Sequence, residues 1–378
     1  MKRFLAVFLM LAILLTSVSL TAMAADPDGW KKGAEGWQYI QGGKPVADKW
    51  IQDGGYWYYI GADTYMLTND VVFSFDQFGE VNAAYYLKPN GQMLADGWAD
   101  VTIEYEGTEG KHVWKFWAYA RGNGKLAWNE WVQYKGSWFY FDGISMVDDG
   151  IYEIDGKYYC FKPNGEMLVG WYQPWKESGD TEWIYADQNG VLATKWKQID
   201  GKWYYFGEWT DWGIMHDGLI YIWNKDDEVE DIYAADKSGA MITNAWFDDV
   251  WEDEDGIIRH DWYYLTANGK AAKGWLNQGG KWYYMDPVWC DMWTGWICVK
   301  DVTYHMDEKS GAMTIGWFKF DGAWYYFKDS GAMARNEWLQ IIGKWYYFDN
   351  DGQMLSNGTY VFTDSKTYTF DANGVWVK

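Results

Sequence analysis

One short aromatic unit returns along this chain, and it constrains the fold more than any other feature. In its clearest copies, at 317–337 and 338–357, a leading Trp is followed by G-x-W-Y-Y-F, a short turn that ends in Gly, and a Met. Closely similar strings stand at 201–206, 280–285 and 343–348. A period of about 20 residues is typical of proteins that stack small repeated units rather than of proteins with separate globular domains.

The leading Trp allows the units to be counted. We predict about fourteen units across residues 26–378, with the longer spacings produced by loop insertions. The leading positions are Trp50, Trp98, Trp131, Trp171, Trp196, Trp246, Trp275, Trp296, Trp317 and Trp338, and weaker units begin near Asp70, Gly150, Gly218 and Gly358.

Each unit predicts a β-hairpin. The W-Y-Y-F string favours a strand, because aromatic side chains fit a pleated surface. The turn at 349–352 should return the chain into a second strand that carries Met354, with Gly352 available for positive φ. A lone two-stranded hairpin is marginal in water, so the units must stack, with the Met residues as core fillers. The predicted fold class is therefore all-β, a solenoid of tandem β-hairpin repeats of about 20 residues.

The unit resembles the cell-wall-binding repeats, also called choline-binding repeats, of Gram-positive surface proteins. The resemblance rests on a G-W start, a G-x-W-Y-Y-x strand, a D-x-x-G-x-M turn and a new G-W, and it covers nearly the whole chain after the N-terminal segment. It implies a left-handed solenoid and three-sided aromatic boxes that hold choline. The G-W pairs stand at 97–98, 170–171, 274–275, 295–296 and 316–317.

The alternation of side chains along a strand indicates which rings form each box. In Trp345-Tyr346-Tyr347 the first and third residues share one face, and Tyr346 points to the other. The leading Trp and the strand Trp of one unit would then wall a cleft, and the middle Tyr of the next unit would close it. The eight predicted boxes are Trp50, Trp57 and Tyr85; Trp131, Trp138 and Tyr159; Trp171, Trp183 and Tyr204; Trp196, Trp203 and Tyr233; Trp246, Trp262 and Tyr283; Trp275, Trp282 and Tyr304; Trp317, Trp324 and Tyr346; and Trp338, Trp345 and Tyr368.

One unit departs from this pattern. After Trp296 the chain offers Thr303-Tyr304-His305 where W-Y-Y is expected, so we expect no full site there. For any single box a second interpretation also stands, in which the rings only pack the solenoid.

Such boxes suit a quaternary ammonium, which makes no hydrogen bonds and is attracted to electron-rich ring faces at about 0.5–2 kcal/mol per contact. Many weak sites that engage one polymer gain avidity of about 10²–10⁴ over a single site. The predicted partner is choline, on teichoic acid or a similar cell-wall polymer.

The N-terminus predicts export. Lys2 and Arg3 precede an apolar run from Phe4 to Leu15, and a small-residue stretch ends near Ala24. This pattern is typical of a signal peptide over residues 1–25, and the apolar run is short for a membrane span. We expect the remaining chain to have no transmembrane segment and to be secreted and held at the bacterial cell wall or surface by its repeats. A retained N-terminal anchor is the alternative.

The charge of the chain narrows the partners. The formal net charge is −22, and it becomes −24 once Lys2 and Arg3 are removed with the signal peptide. This charge disfavours nucleic acid and favours small cations near the protein.

The three cysteines, Cys160, Cys290 and Cys298, are an odd number for an exported protein. Cys290 and Cys298 could pair across adjacent strands, but burial of the thiols as small hydrophobic groups is the favoured interpretation.

No catalytic, cofactor or metal motif accompanies the repeats. The four histidines, at positions 112, 216, 260 and 305, fall singly in different units, without a nucleophile elbow, a phosphate loop or H-E-x-x-H. We therefore expect a binding protein that is not an enzyme. Two alternatives to choline stay open: a glucan or other glycan, with carboxylates and amides beside each Trp, and an adhesin stalk whose rings are buried and whose partner is a protein.

Overall fold

The computed structural model describes residues 26–107, 110–174, 182–208, 213–362 and 365–377. Every regular element in these residues is a β-strand, and the strands pair as short antiparallel sheets. The predicted all-β fold class of tandem hairpins is confirmed. Residues 1–25, where the signal peptide is predicted, lie outside the described part. In that part, no helix has the length and apolar character needed to cross a bilayer.

The chain divides into two compact units. The first unit comprises residues up to Tyr152 together with Tyr159–Leu168. Its strands are β1 (Gly29–Lys32), β2 (Trp37–Gln41), β3 (Lys44–Pro45), β4 (Lys49–Asp53), β5 (Tyr56–Ile60), β6 (Asp70–Phe75), β7 (Val81–Leu87), β8 (Gly97–Gly107), β9 (Gly110–Ala120), β10 (Glu130–Tyr134), β11 (Ser137–Asp142) and β12 (Ser145–Met146). The residues of β13 (Gly150–Ile154) and β14 (Lys157–Phe161) are divided between the units.

The second unit comprises Glu153–Tyr158 and Val169–Lys378. Its further strands are β15 (Gly170–Tyr172), β16 (Ile184–Ala186), β17 (Lys195–Ile199), β18 (Lys202–Phe206), β19 (Gly218–Trp223), β20 (Val229–Ala235), β21 (Ala245–Glu252), β22 (Ile258–Leu265), β23 (Gly274–Gln278), β24 (Lys281–Met285), β25 (Gly295–Val299), β26 (Val302–Met306), β27 (Gly316–Phe320), β28 (Ala323–Phe327), β29 (Glu337–Ile341), β30 (Lys344–Phe348), β31 (Gly358–Val361), β32 (Thr367–Phe370) and β33 (Trp376–Val377).

The strands form fifteen sheets in the described residues. All four weaker units begin where expected, since β6, β13, β19 and β31 start at the predicted residues. One hairpin, β1–β2, was not counted from the sequence. Its second strand reads W-Q-Y instead of W-Y-Y.

The prediction of which strands form the hairpin was wrong. The W-Y-Y-F strand pairs with the strand before it, which carries the leading Trp, so that Trp338 faces Tyr347. The connecting turn is Ile342-Gly343, and both residues have positive φ, 47° and 75°. Positive φ at both positions gives a two-residue turn a twist that matches the twist of the strands it joins. Met354 instead forms a single bridge to Phe348.

The segment that carries Met354 and Leu355, called the Met segment here and in the other repeats, joins successive hairpins. The Met354 amide donates to the carbonyl of Trp324 in the preceding hairpin (2.8 Å), and the Leu355 amide donates to Tyr347 in its own hairpin (3.0 Å). The side chain of Met333 packs in the same way under Gly352, the turn glycine of the next unit. Nine Met residues hold the position of Met354 and form the same single bridge in the described residues, and all nine are half-buried, so they link neighbouring repeats instead of filling the deepest core.

The deepest core lies at the fourth position of W-Y-Y-F. Phe327 and Phe348 are fully buried, and Met285, Met306 and Phe206 hold the same position in other units. Full burial of such a side chain contributes about 1.5–3 kcal/mol, and the contribution recurs at each unit. This row of apolar side chains keeps the hairpins, and therefore their exposed rings, in a regular order.

Candidate functional site

Each hairpin places a pair of tryptophans on one face. In β27–β28, Trp317 lies opposite Tyr326 and Lys319 opposite Trp324, so strand alternation brings the three rings to the same side. The ring centroids of Trp317 and Trp324 are 6.1 Å apart and nearly perpendicular, at 88°. Tyr326 packs edge-on against Trp317 at 5.2 Å. Edge-to-face packing of this kind is the favoured geometry for aromatic rings.

The next hairpin supplies a further ring. Tyr346 points away from Trp345 and back to Trp317, with ring centroids 4.9 Å apart and planes at 73°. The alternation within W-Y-Y thus directs the last Tyr to the leading Trp of its own hairpin, and the middle Tyr to the leading Trp of the preceding hairpin. Trp317, Trp324 and Tyr346 form perpendicular walls, as the sequence rule predicts.

Four predicted boxes bring all three rings within contact in this way. In each, the two tryptophans are 6.1–6.4 Å apart and the leading Trp lies 4.7–5.1 Å from the Tyr of the next hairpin. These boxes are Trp50, Trp57 and Tyr85; Trp171, Trp183 and Tyr204; Trp275, Trp282 and Tyr304; and Trp317, Trp324 and Tyr346.

In the other four predicted boxes the leading Trp also meets the predicted Tyr, at 4.7–5.1 Å. In each of these boxes the strand Trp lies two residues before the Tyr that pairs with the leading Trp. Trp345, for example, lies opposite Gln340, and Tyr347 lies opposite Trp338. These pairs are Trp131 with Tyr159, Trp196 with Tyr233, Trp246 with Tyr283 and Trp338 with Tyr368, and their strand tryptophans are Trp138, Trp203, Trp262 and Trp345.

Two leading tryptophans pack against additional rings of the chain itself. Trp338 stacks on Phe362 (5.6 Å) and on Phe370 (5.5 Å). Trp296 contacts Phe318 and Phe320, each at 5.8 Å, and Thr303 stands where a strand Trp is usual. The expectation of no full site at Trp296 agrees with this packing.

Sequence reasoning missed one well-formed site. The first of the two compact units contains a cavity of about 390 Å³, which is lined by Trp98, Trp117, Tyr134 and Phe139. Phe139 takes the place of the closing Tyr, with its ring 4.9 Å from Trp98. Trp98 was recognised as a leading position, and applying the same rule with Phe allowed for Tyr would have found the box.

The cavity at Trp98 also carries charge. Glu166 lies on its lining, and a hydrogen bond from Lys162 (3.3 Å) lowers the pKa of the Glu166 carboxyl. The carboxylate is therefore ionised at neutral pH. Lys135 lies on the lining too, with its ammonium 5.1 Å from the centroid of the Tyr134 ring. The aromatic face thus already meets a cation of the chain.

A lysine also meets a ring of the box at Trp317. The Lys319 ammonium lies 5.7 Å from the centroid of Trp324, whose side chain is 40% exposed. This contact is a cation–π interaction at an exposed position, worth about 0.5–1 kcal/mol. An external cation that approaches Trp324 would have to displace it.

The cysteines are free thiols. Cys160 and Cys290 are buried, as the favoured interpretation held, but Cys298 is exposed, and for it that interpretation was wrong. Cys298 lies opposite Thr303 in a hairpin face that looks to solvent, whereas Cys290 is enclosed by the turn after β24. Burial raises the pKa of the Cys160 thiol to about 12 and that of Cys290 to about 11.

The histidines do not converge on one another. His305 is buried against Phe318, with ring centroids 4.0 Å apart, and its Nδ1 lies 2.8 Å from the Thr314 hydroxyl. Burial lowers the pKa of His305. His260 pairs instead with Asp248 at 2.9 Å. Over the described ranges, no group of three His, Cys, Asp or Glu residues has a metal-binding arrangement.

The fold and its rings define a class of protein: an all-β repeat protein with aromatic boxes between hairpins. Comparison with known families gives the same answer. Residues 290–338 match the choline-binding repeat, and five segments match the cell wall binding repeat. Those segments are 48–63, 129–143, 194–209, 273–287 and 336–354. The matched segments are therefore similar to choline-binding and cell wall binding repeats, in agreement with the resemblance read from the sequence.

Individual relatives share only part of the chain. Glucosyltransferase-S of Streptococcus downei is 24% identical over 172 residues, which is 44% of this chain and 11% of the relative. Glucosyltransferase-S of Streptococcus mutans serotype c is 28% identical over 185 residues, 43% of this chain and 12% of the relative. The matched region thus spans a small fraction of these curated relatives.

Among solved structures, CbpJ from Streptococcus pneumoniae is 23% identical and covers 86% of this chain and 100% of its own, with a TM-score of 0.28. At this identity and TM-score the likeness does not identify a function.

Proposed function

We propose that this chain is a secreted, non-catalytic protein that binds choline on teichoic acid or a similar cell-wall polymer. In this proposal residues 1–25 are a signal peptide, and residues 26–378 are the repeat array that holds the protein at the wall or surface. The family matches support the ligand class, since the matched units are choline-binding and cell wall binding repeats.

The observation that carries the proposal is the cavity at Trp98. Its lining combines aromatic faces with two charged side chains, Lys135 and Glu166, and Glu166 is paired with Lys162. A quaternary ammonium is attracted to the ring faces because they are electron-rich. The quaternary ammonium makes these contacts without donating a hydrogen bond. A cavity of this size and composition is typical of small-molecule sites.

The exposure of the strand tryptophans supports open boxes elsewhere. In all eight predicted boxes this Trp is 38–44% exposed, so packing between hairpins does not consume its ring. In a purely structural stalk the same positions would be covered. Each box would bind weakly, at about 0.5–2 kcal/mol per ring contact, and several boxes on one polymer would together hold the protein in place.

The glycan and stalk alternatives make different demands. A sugar ring needs polar groups around it, whereas the walls of the Trp50, Trp171, Trp275 and Trp317 boxes are aromatic rings. The family matches also fit a glycan ligand less well than choline. A stalk requires a protein partner and no small ligand.

The test is a site-resolved titration of the secreted chain labelled with fluorotryptophan. The fluorine resonance of Trp117 is assigned with Trp117→Phe, and choline is compared with its neutral isostere dimethylbutanol. We expect saturable movement of the Trp117 resonance with choline and at least ten-fold weaker binding of the neutral compound, because the attraction depends on the charge.

Two variants complete the experiment. Trp98→Ala should abolish the response of Trp117, and Trp223→Ala should leave it unchanged, because Trp223 is 54% exposed and belongs to no box. Equal binding of choline and dimethylbutanol would contradict the cation–π mechanism. A response to soluble α-glucan without one to choline would transfer the proposal to a glycan.

A further inference from the structure

The second of the two compact units contains a cavity of a different kind. It measures about 660 Å³ and lies between hairpin β21–β22 and strand β25. Its lining includes Trp262 from β22, Trp293 from the segment that precedes β25, and Trp296 from β25 itself. Trp262 belongs to a predicted box, but neither Trp246 nor Tyr283, the other members of that box, lines this cavity.

Carboxylates stand beside these rings. Asp261, Asp291 and Glu308 all line the cavity, and no ion pair engages any of the three in the described part of the chain. Asp261 accepts a hydrogen bond from the indole nitrogen of Trp251 at 2.6 Å. Asp291 is half-buried, and this burial, with the nearby charges of Asp286 and Asp261, raises its pKa. The charges of these three carboxylates are therefore not neutralised by an ion pair within the described residues.

Two basic side chains also line this cavity. His260 pairs with Asp248, with Nδ1 2.9 Å from the carboxylate. Lys309 is exposed and carries the one lysine ammonium among the described lining residues. Three carboxylates therefore face one lysine, and the lining has an excess of acidic over basic side chains.

The three-ring boxes and this cavity suit different cations. A quaternary ammonium cannot use carboxylate acceptors by hydrogen bonding, because it has no N–H group. A primary ammonium has three donors, and charge-assisted N–H···O⁻ bonds are roughly twice as strong as neutral ones. The exposed faces of Trp262 (38%) and Trp296 (36%) would carry the rest of such a ligand. The cavity is also larger than the one at Trp98.

From this combination we infer that the cavity between β22 and β25 is a second binding site, for a protonated primary amine carried on a body the size of a hexosamine or a short polyamine. Asp291 and Glu308 accept hydrogen bonds from the ammonium group, and Trp262 and Trp296 hold the body of the ligand. The site shares Trp262 with the predicted box of Trp246 and Tyr283, but it has no lining residue in common with the cavity at Trp98.

Calorimetric titration of the secreted chain tests this site. Glucosamine and spermidine represent the two sources of the amine, and N-acetylglucosamine keeps the sugar body but removes the charge. We expect saturable binding of at least one amine, with N-acetylglucosamine at least ten-fold weaker. Binding by glucosamine alone identifies an amino sugar, and binding by spermidine alone identifies a linear polyamine.

Variants locate the binding. Asp291→Asn and Glu308→Gln should each weaken the amine at least ten-fold, and Asp321→Asn, which removes a turn carboxylate outside the cavity, should not. The unfolding midpoint of each variant verifies that it folds, and its choline titration at Trp117 should be unchanged. Absence of amine binding, equal binding of N-acetylglucosamine, or equal affinity in the Asp291→Asn and Glu308→Gln variants would overturn the assignment, whatever the outcome with choline.

Discussion

The contact between a turn glycine and the Met of the preceding unit predicts a measurable difference between two glycines of one repeat. Gly352 has φ of +77°, and a Cβ added there would lie 2.6 Å from both Sδ and Cε of Met333. Gly343 has nearly the same φ, +75°, but nothing lies within 4 Å of its added Cβ. Substitution by Ala therefore imposes the same backbone strain at both positions and a steric clash at only one.

The magnitude follows from these two terms. The left-handed backbone costs an L-residue about 1–2 kcal/mol, and the smaller unfolded-state entropy of Ala returns about 0.4–1 kcal/mol. Gly343→Ala should thus lower the free energy of unfolding by about 1 kcal/mol. Overpacking adds about 1–3 kcal/mol, and the flexible end of Met333 places Gly352→Ala at the lower half of that range. We expect Gly352→Ala to be less stable than Gly343→Ala by about 1–2 kcal/mol.

Urea unfolding followed by circular dichroism measures the difference, with Met333→Ala completing a double-mutant cycle. The penalty for Gly352→Ala should shrink in the Met333→Ala background, because the clashing thioether is gone. Equal stability of the two glycine variants, or an unchanged penalty without Met333, would refute the idea that Met and Gly couple successive units.

Three further predictions follow from single side chains. Lys319→Gln should tighten choline binding at Trp324 by about two- to five-fold, read from the fluorotryptophan resonance of Trp324, because it removes a competing cation–π contact worth about 0.5–1 kcal/mol; unchanged affinity would contradict the competition. The lowered pKa of buried His305 means that the unfolded chain binds a proton more readily, so the free energy of unfolding should fall as pH drops below about 6.5, by at most about 1.4 kcal/mol per pH unit, and His305→Tyr should reduce this dependence. In the folded protein one thiol, Cys298, should react with a thiol reagent at pH 8, and Cys160 and Cys290 should react only on unfolding; rapid reaction of a second thiol would contradict their burial.

Much of the box geometry was predictable because strand alternation is fixed by covalent structure. The opposite directions of Tyr346 and Tyr347 follow from a period of two, and the structure places their rings against different hairpins. The pairing of strands was harder to predict. Ile342-Gly343 lacks the Asn-Gly or Asp-Gly pair that marks a tight hairpin, whereas the acidic turn ending at Gly352 has those features and forms the link between units.

Other parts of the structure depend on the stacking of units. Asp261 and Asp291 lie thirty positions apart in sequence, and only the order of hairpins brings both to one cavity. The packing of Phe362 against Trp338 also depends on a local chain path that no repeat pattern specifies. The site at Trp98 was hidden by a single exchange of Tyr for Phe at position 139, which changes the motif but not the ring.

A crystal structure of residues 26–378 at saturating choline would show whether the aromatic boxes bind a quaternary ammonium. We expect a choline molecule in the cavity lined by Trp98, Trp117 and Phe139, with its trimethylammonium group against the ring faces. Further choline molecules should occupy boxes such as the one at Trp317. Empty boxes, or choline bound only away from the rings, would show that the rings are not the binding site.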